Sequence, residues 1–146
     1  MSLGVLGVMV LGFGLILFLV YGVDSHHDTR DDFLWPGREY ELTPPTATGI
    51  HLQRDFLDHW SSYTVAESDL NVFLDATFGG QSGKPLDSFS LRSPVDRDRF
   101  ERTYAELGWV WTEGMVEYHC SASNGGGHTF YHDPSTGMTY QVSAHW

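Results

Sequence analysis

The sequence has few cysteines and few basic side chains. Cys120 is the one cysteine among 146 residues, which excludes an internal disulfide framework and a zinc site built from several thiolates. Lysine and arginine together number 8 against 19 acidic residues, giving a formal net charge of −11, and the basic residues are scattered along the chain. Because nucleic-acid binding requires clustered basic side chains, this composition argues against a nucleic-acid partner.

Charged side chains are also absent from residues 1–23. A helix over residues 3–23 would span the roughly 30 Å of a membrane's hydrocarbon core, so the sequence predicts an N-terminal transmembrane helix within residues 1–23. A cleaved signal peptide is the alternative, but the segment lacks its basic start and short apolar core. The chain is therefore expected in the cell membrane as a single-pass protein. Its C-terminal part is expected to be extracytoplasmic, as in a typical signal anchor, although Arg30 and Arg38 counted alone favour the cytoplasm.

Several glycines fall on one side of this predicted helix. At about 100° per residue, they occupy a sector of about 80°. The set consists of Gly4, Gly7, Gly14 and Gly22. Small residues let another helix approach closely, which predicts lateral packing against an integral membrane protein within the lipid bilayer. The alternative is that glycine is simply common in transmembrane helices.

The rest of the chain is expected to form one α+β domain after a connector. Residues 24–49 lack periodicity and contain proline and glycine breakers, so they are interpreted as an extended juxtamembrane connector. Residues 50–146 are predicted to form a small soluble domain of about three helices followed by a C-terminal antiparallel β-meander. The helices are expected at 50–62, between Thr64 and Gly79, and from Pro94 to Leu107 with a stop at Gly108. The second helix would start at a capping box, Thr64 to Glu67, and bury Leu70, Phe73, Leu74 and Phe78. The strands are expected at 109–120, 128–132 and 138–145, the last two joined in a hairpin.

Histidine is the one residue type in suggestive excess, with 8 in the chain. The candidate metal ligands are His119, His128 and His132. On a strand, His128 and His132 would lie about 13 Å apart, whereas bonds to zinc are near 2 Å, so one ion cannot readily bridge them. The preferred interpretation is therefore surface histidines, with no metal and no cofactor.

A second group of titratable residues follows the predicted membrane helix. Asp24, His26, His27 and Asp28 could hold a weakly bound divalent ion or respond to pH, because imidazole titrates near neutrality. A flexible juxtamembrane stretch would not hold these side chains in place. A solvated spacer is therefore the preferred interpretation.

Evidence for catalysis is weak. Glu113 and Glu117 would lie about 13 Å apart on a strand, beyond the usual separation of paired catalytic carboxylates. The sequence contains no nucleophile elbow, phosphate-binding loop, dinucleotide fingerprint or metalloprotease motif. We therefore expect the protein not to be an enzyme.

These observations favour a membrane-anchored accessory or structural subunit. Its acidic, aromatic-rich domain would dock onto a larger hetero-oligomeric membrane complex, such as a respiratory, photosynthetic, secretion or virion assembly. Aromatic side chains are favoured interface anchors, and the candidates are Trp35, Trp111, Tyr131 and Trp146. The alternative is a membrane-tethered metal-dependent enzyme or ligand-binding module that uses the C-terminal histidines. A third hypothesis is an envelope sensor in which His26 and His27 respond to acidification.

Overall fold

The computed structural model describes residues 23–33, 38–54, 58–79, 93–121 and 126–144. These residues form an antiparallel sheet of seven strands with the spatial order β1-β2-β3-β7-β6-β5-β4. The strands are β1 (Val23–Thr29), β2 (Thr48–Arg54), β3 (Asp58–Thr64), β4 (Ser93–Pro94), β5 (Val116–Ser121), β6 (Gly127–His132) and β7 (Met138–Ala144). Two meanders, β1-β2-β3 and β4-β5-β6-β7, therefore meet where β3 pairs with β7.

In the described ranges, three α-helices accompany the sheet: α1 (Arg38–Glu41), α2 (Glu67–Phe78) and α3 (Arg97–Tyr104). Short 3₁₀ turns occupy Arg30–Asp32 and Ala105–Leu107. The two longer helices, α2 and α3, pack on opposite faces of the sheet. Successive residues of a strand point to opposite faces, so the strands contribute side chains to both sides.

The α2 face of the sheet carries the larger buried cluster. Leu70, Phe73, Leu74 and Phe78 of α2 pack with Tyr63, Tyr118, Cys120 and Phe130 of the sheet. The α3 face is covered mainly by aromatic rings. Phe100 of α3 packs there with Trp109, Met115, Tyr131 and Tyr140.

The predicted order of elements, three helices followed by a β-meander, is wrong. Residues 50–54 and 58–62, expected in a helix, lie in β2 and β3. In β3, burial alternates with the period of two that a strand requires, at His59, Ser61 and Tyr63. Residues 24–29, expected in an extended connector, form most of β1 and pair with β2. Within the described residues, the sheet therefore has three more long strands than expected, β1, β2 and β3, and the helices lie between strands along the chain.

The two later helices are confirmed, but their starts differ from the prediction. The buried positions of α2 are the four apolar residues that the helical spacing indicated. However, Thr64 ends β3, and α2 begins at Glu67 after Ala66 with no side-chain cap, so the predicted capping box is absent. Ser93–Pro94 form β4, and Asp96 caps α3 by accepting a hydrogen bond from the backbone amide of Arg99 at 2.7 Å.

The single-pass membrane prediction is also corrected. Among the residues that the structure describes, no helix is both long and apolar enough to cross a membrane. Val23, expected to end the membrane helix, is instead the first residue of β1 and pairs with Arg54. The predicted localisation, a cell-membrane protein with an extracytoplasmic domain, is contradicted by this finding. Residues 1–22, with all four glycines of the predicted stripe, lie outside the described residues.

The predicted hairpin between β6 and β7 is confirmed, and Asp133 organises its turn. Asp133 Oδ1 accepts hydrogen bonds from the backbone amide and the hydroxyl of Ser135 at 2.8 and 2.7 Å. Its Oδ2 accepts one from the Thr136 hydroxyl at 2.8 Å. Gly137 has a φ of +77°, and a Cβ there would lie 2.9 Å from the carbonyl oxygen of Val65. The turn therefore depends on Asp133 for its hydrogen bonds and on Gly137 for its backbone conformation and its close approach to Val65.

We expect acid to destabilise the fold through Asp133. Burial opposes ionisation of this carboxyl, but hydrogen bonds from Ser135 and Thr136 outweigh it and lower the pKa from 3.8 to about 2. The ionised form is therefore favoured by folding. Its contribution, about 2 kcal/mol, should be complete above about pH 5 and lost progressively as the pH falls through about 2. Urea unfolding at several pH values measures this loss.

The matched control is Asp133→Asn, which keeps one acceptor oxygen but does not titrate. Its free energy of unfolding should change less between pH 4.5 and pH 2.5 than that of the unmodified protein. Equal losses in the two proteins would contradict the role of Asp133, since all other carboxyl groups are common to both.

Candidate metal site

A cluster of polar side chains lies where β1 pairs with β2. Asp24 pairs with Gln53, and His26 pairs with His51. Alternate residues of a strand share a face, and so do directly paired residues of two antiparallel strands. The four side chains therefore form a compact group on one face of the sheet, which is the face that also carries α3.

Three of these side chains, those of Asp24, His26 and His51, carry atoms that can bind a metal ion. Asp24 Oδ1 lies 2.8 Å from His51 Nε2 and 3.9 Å from His26 Nδ1. The two imidazole rings stack with their centroids 4.1 Å apart and their planes 10° apart. One ligand atom from each of Asp24, His26 and His51 lies within 4.8 Å of the others. Ligand atoms around a tetrahedral zinc ion are roughly 3.3 Å apart for bonds of about 2.0–2.1 Å, so small side-chain rotations would complete the geometry.

Gln53 fixes the carboxylate of Asp24 from the other side. Its Nε2 donates a hydrogen bond to Asp24 Oδ2 at 3.3 Å, which leaves Oδ1 directed at the histidines. Hydrogen bonds from His51 and Gln53 lower the pKa of Asp24, so the group is an anion at neutral pH. Outer hydrogen bonds of this kind commonly orient metal ligands.

The cluster is open to solvent, which limits its value for folding. The side chains of Asp24 and His26 are 60% and 75% exposed, and that of His51 is 30% exposed. Exposed ion pairs typically contribute about 0–1 kcal/mol. The contacts among these three side chains therefore add little to the free energy of unfolding, and stability alone does not explain why they lie together.

A cleft borders the cluster on the side of Asp28. It is lined by His26, His27, Asp28, Asp32, Gly49 and Ile50. Gly49 has a φ of +60°, and a Cβ added there would meet no atom within 4 Å. A metal ion held by three protein ligands would therefore have room for water or a small molecule at its remaining position, as in open zinc sites.

The C-terminal histidines are placed apart from one another and from this cluster. His119 is exposed on β5, and its Nδ1 lies 3.0 Å from the Thr129 hydroxyl. His128 and His132 are buried on the α2 face, where the His132 ring contacts the Thr139 hydroxyl at 2.9 Å. Within the described ranges, the cluster of potential ligands does not include any of these three histidines.

Cys120 also lacks the properties of a metal ligand. It is fully buried on β5, directly across from His128. Burial raises the pKa of its thiol to about 12, so the thiolate form that binds metals is strongly disfavoured.

The predicted interface aromatics occupy different environments. Tyr131 is 5% exposed within the α3-side core. Trp111 is half-buried, donates a hydrogen bond to the Val95 carbonyl at 3.4 Å and lies beneath the Arg97 guanidinium. Trp35 and Trp146 lie outside the described residues. Their role as interface anchors stays a prediction.

His51 and Gln53 are the members of the cluster that sequence reasoning missed. Asp24 and His26 were considered as possible ligands, but within a flexible connector, whereas in β1 they lie two residues apart and share a face. His51 and Gln53 repeat this spacing in β2. The match between the two pairs was hidden because residues 24–49 were assigned to a connector and residues 50–62 to a helix.

Comparison with known proteins finds no matching family model and no curated protein or solved structure that is significantly similar to this chain. The assignment of function therefore depends on the geometry of the described residues.

Proposed function

We propose that this domain binds a divalent transition-metal ion, best suited to zinc, through Asp24, His26 and His51. The observation that carries the proposal is the convergence of their ligand atoms within 4.8 Å on two paired strands. Two imidazoles and one carboxylate are a ligand set that zinc accepts, whereas magnesium and calcium prefer oxygen ligands alone.

Strand pairing supports a site that exists before the metal binds. β1 pairs with β2 from Val23 to Thr29, so the backbone that carries Asp24 and His26 is held by a ladder of hydrogen bonds. The solvated-spacer interpretation of this segment assumed a flexible chain. A fixed backbone reduces the conformational entropy that metal binding would have to overcome.

Zinc titration of the full chain by calorimetry tests this proposal. We expect one ion to bind per chain, and His26→Ala or His51→Ala to weaken binding by at least 100-fold, because each removes a ligand. Gln53→Ala, which removes only the support of Asp24, should weaken binding by about 10–100-fold. Binding should also weaken in acid, since the ligands must be deprotonated.

His119→Ala is the matched control, because His119 is another strand histidine with an exposed side chain. It should leave zinc affinity unchanged. A similar loss for His119→Ala and His51→Ala, or no zinc binding by the unmodified chain, would contradict the proposed site.

Docking of the acidic, aromatic-rich domain onto a partner protein stays a prediction, as does the absence of enzymatic activity. The described contacts favour metal binding over docking, because they assemble a ligand set while burying Tyr131, one of the expected anchors.

A further inference from the structure

A second cleft lies beside α3, near the β4 edge of the sheet. Its volume is about 190 Å³, and it lies between α3 and strands β4, β5 and β6. The proposed metal site is at the opposite edge, on β1 and β2. The charged and phenolic side chains that line the cleft are those of Asp96, Arg99, Tyr104, Glu117 and Tyr131.

The floor of this cleft is aromatic and carries two hydroxyl groups. The rings of Tyr104 and Tyr131 each pack against Phe100, with centroids 5.2 and 5.1 Å from it. Their hydroxyl oxygens are 3.1 Å apart and share one hydrogen bond. Burial and the hydrogen bond with Tyr104 raise the pKa of Tyr131, so this hydroxyl stays neutral.

The shared hydrogen bond uses one of the two hydroxyl protons. The other O–H has no acceptor among the residues described, whichever tyrosine donates. The floor thus offers a bound molecule one neutral donor next to a flat apolar surface.

Three charged side chains also line the cleft, those of Asp96, Arg99 and Glu117. Asp96 Oδ1 already accepts the hydrogen bond from the Arg99 backbone amide that caps α3, at 2.7 Å. Arg99 projects from α3, and Glu117 projects from β5. Within the described part of the chain, neither side chain forms an ion pair, although Arg97 pairs with Glu101 at 2.9 Å on the same helix. Arg99 and Glu117 line the cleft together with Tyr131, so both charges lie close to the floor. Glu117 raises the pKa of Tyr131, and Arg99 lowers it.

We propose that this cleft binds a small zwitterion, specifically an apolar α-amino acid. Its carboxylate would contact Arg99, its ammonium group would contact Glu117, and its side chain would cover the aromatic floor. Arginine recognises carboxylates through two parallel hydrogen bonds, and such charge-assisted bonds are the stronger ones. The cleft is smaller than the roughly 300–1,000 Å³ of typical ligand sites, which favours a ligand of amino-acid size over a nucleotide.

Calorimetric titration of the full chain with L-leucine tests this inference. We expect leucine to bind in the millimolar range or more tightly, and leucinamide and N-acetylleucine, which lack the carboxylate and the ammonium group, to bind at least tenfold more weakly. Arg99→Met should weaken leucine binding at least tenfold and remove the preference for leucine over leucinamide. Glu117→Gln should remove the preference over N-acetylleucine. These changes in preference separate contact with the ligand from a merely structural role.

Arg97→Met is the matched control, since Arg97 lies on the same helix and pairs with Glu101 instead of lining the cleft. It should leave leucine affinity unchanged. The inference is overturned if leucine does not bind at millimolar concentration, if both analogues bind as tightly as leucine, or if Arg97→Met weakens binding as much as Arg99→Met.

Discussion

Phe100→Ala is expected to lower the free energy of unfolding by about 3–5 kcal/mol, the range measured for truncating buried aromatic residues. Phe100 is 1% exposed and is the buried residue of α3. Its ring packs against those of Tyr104, Trp109, Tyr131 and Tyr140, with centroids 5.1 to 6.4 Å away. Large rings held by several neighbours cannot collapse into the space left by a lost phenyl group, so a cavity would remain. Urea unfolding followed by tryptophan fluorescence measures the loss.

Two variants make this prediction specific. Phe100→Leu keeps much of the apolar volume and should lose clearly less stability than Phe100→Ala. Val72→Ala removes an apolar side chain that is 71% exposed on α2, and its effect should stay within about 0.5 kcal/mol. A loss below about 1 kcal/mol for Phe100→Ala would show that Phe100 does not anchor α3.

The two longer helices, α2 and α3, were predictable from the sequence because their buried positions are apolar. In α2, Leu70, Phe73, Leu74 and Phe78 repeat with the helical period, and the structure buries all four. Gly108 ends the turn after α3 with a φ of +69°, a backbone conformation that favours glycine and that marked the stop in the sequence. The spacing of apolar residues and a glycine stop were therefore sufficient to predict helices whose buried side chains are apolar and close together in the sequence.

The strands of the first meander were not predictable in this way because part of the interior is polar. On β3, the buried positions include His59 and Ser61, which pair with the buried Ser143 and Gln141 of β7. A search for alternating apolar residues overlooks a strand whose inward side chains are polar. Those positions become recognisable only when the partner strand supplies the hydrogen bonds, and β3 and β7 are far apart in sequence.

The candidate metal site shows the same division between local and long-range information. Asp24 and His26 were identified from their own segment as possible ligands. Their partnership with His51 depends on the pairing of β1 with β2. His128 and His132, considered from the sequence as metal ligands and interpreted as surface histidines, are instead buried in the fold.

Gln141→Leu is expected to lower the free energy of unfolding by about 2–5 kcal/mol. Gln141 is fully buried, and its Oε1 accepts a hydrogen bond from the Tyr63 hydroxyl at 3.0 Å. Its Nε2 donates to the Ser143 hydroxyl at 3.0 Å. Tyr63 and Ser143 are themselves fully buried, and a buried polar group left without a partner costs about 1–3 kcal/mol. Urea unfolding of the single variant measures the sum of these losses.

A double-mutant cycle with Tyr63→Phe distinguishes the lost hydrogen bonds from altered packing. Tyr63→Phe removes the hydroxyl whose acceptor is Gln141, so in its presence Gln141→Leu should cost about 1–2 kcal/mol less than it does alone. Additive losses would show that the two side chains do not depend on each other. A coupling of the expected size would mean that polar contacts between β3 and β7 hold the two meanders together, which accounts for a sheet that the apolar pattern of the sequence did not indicate.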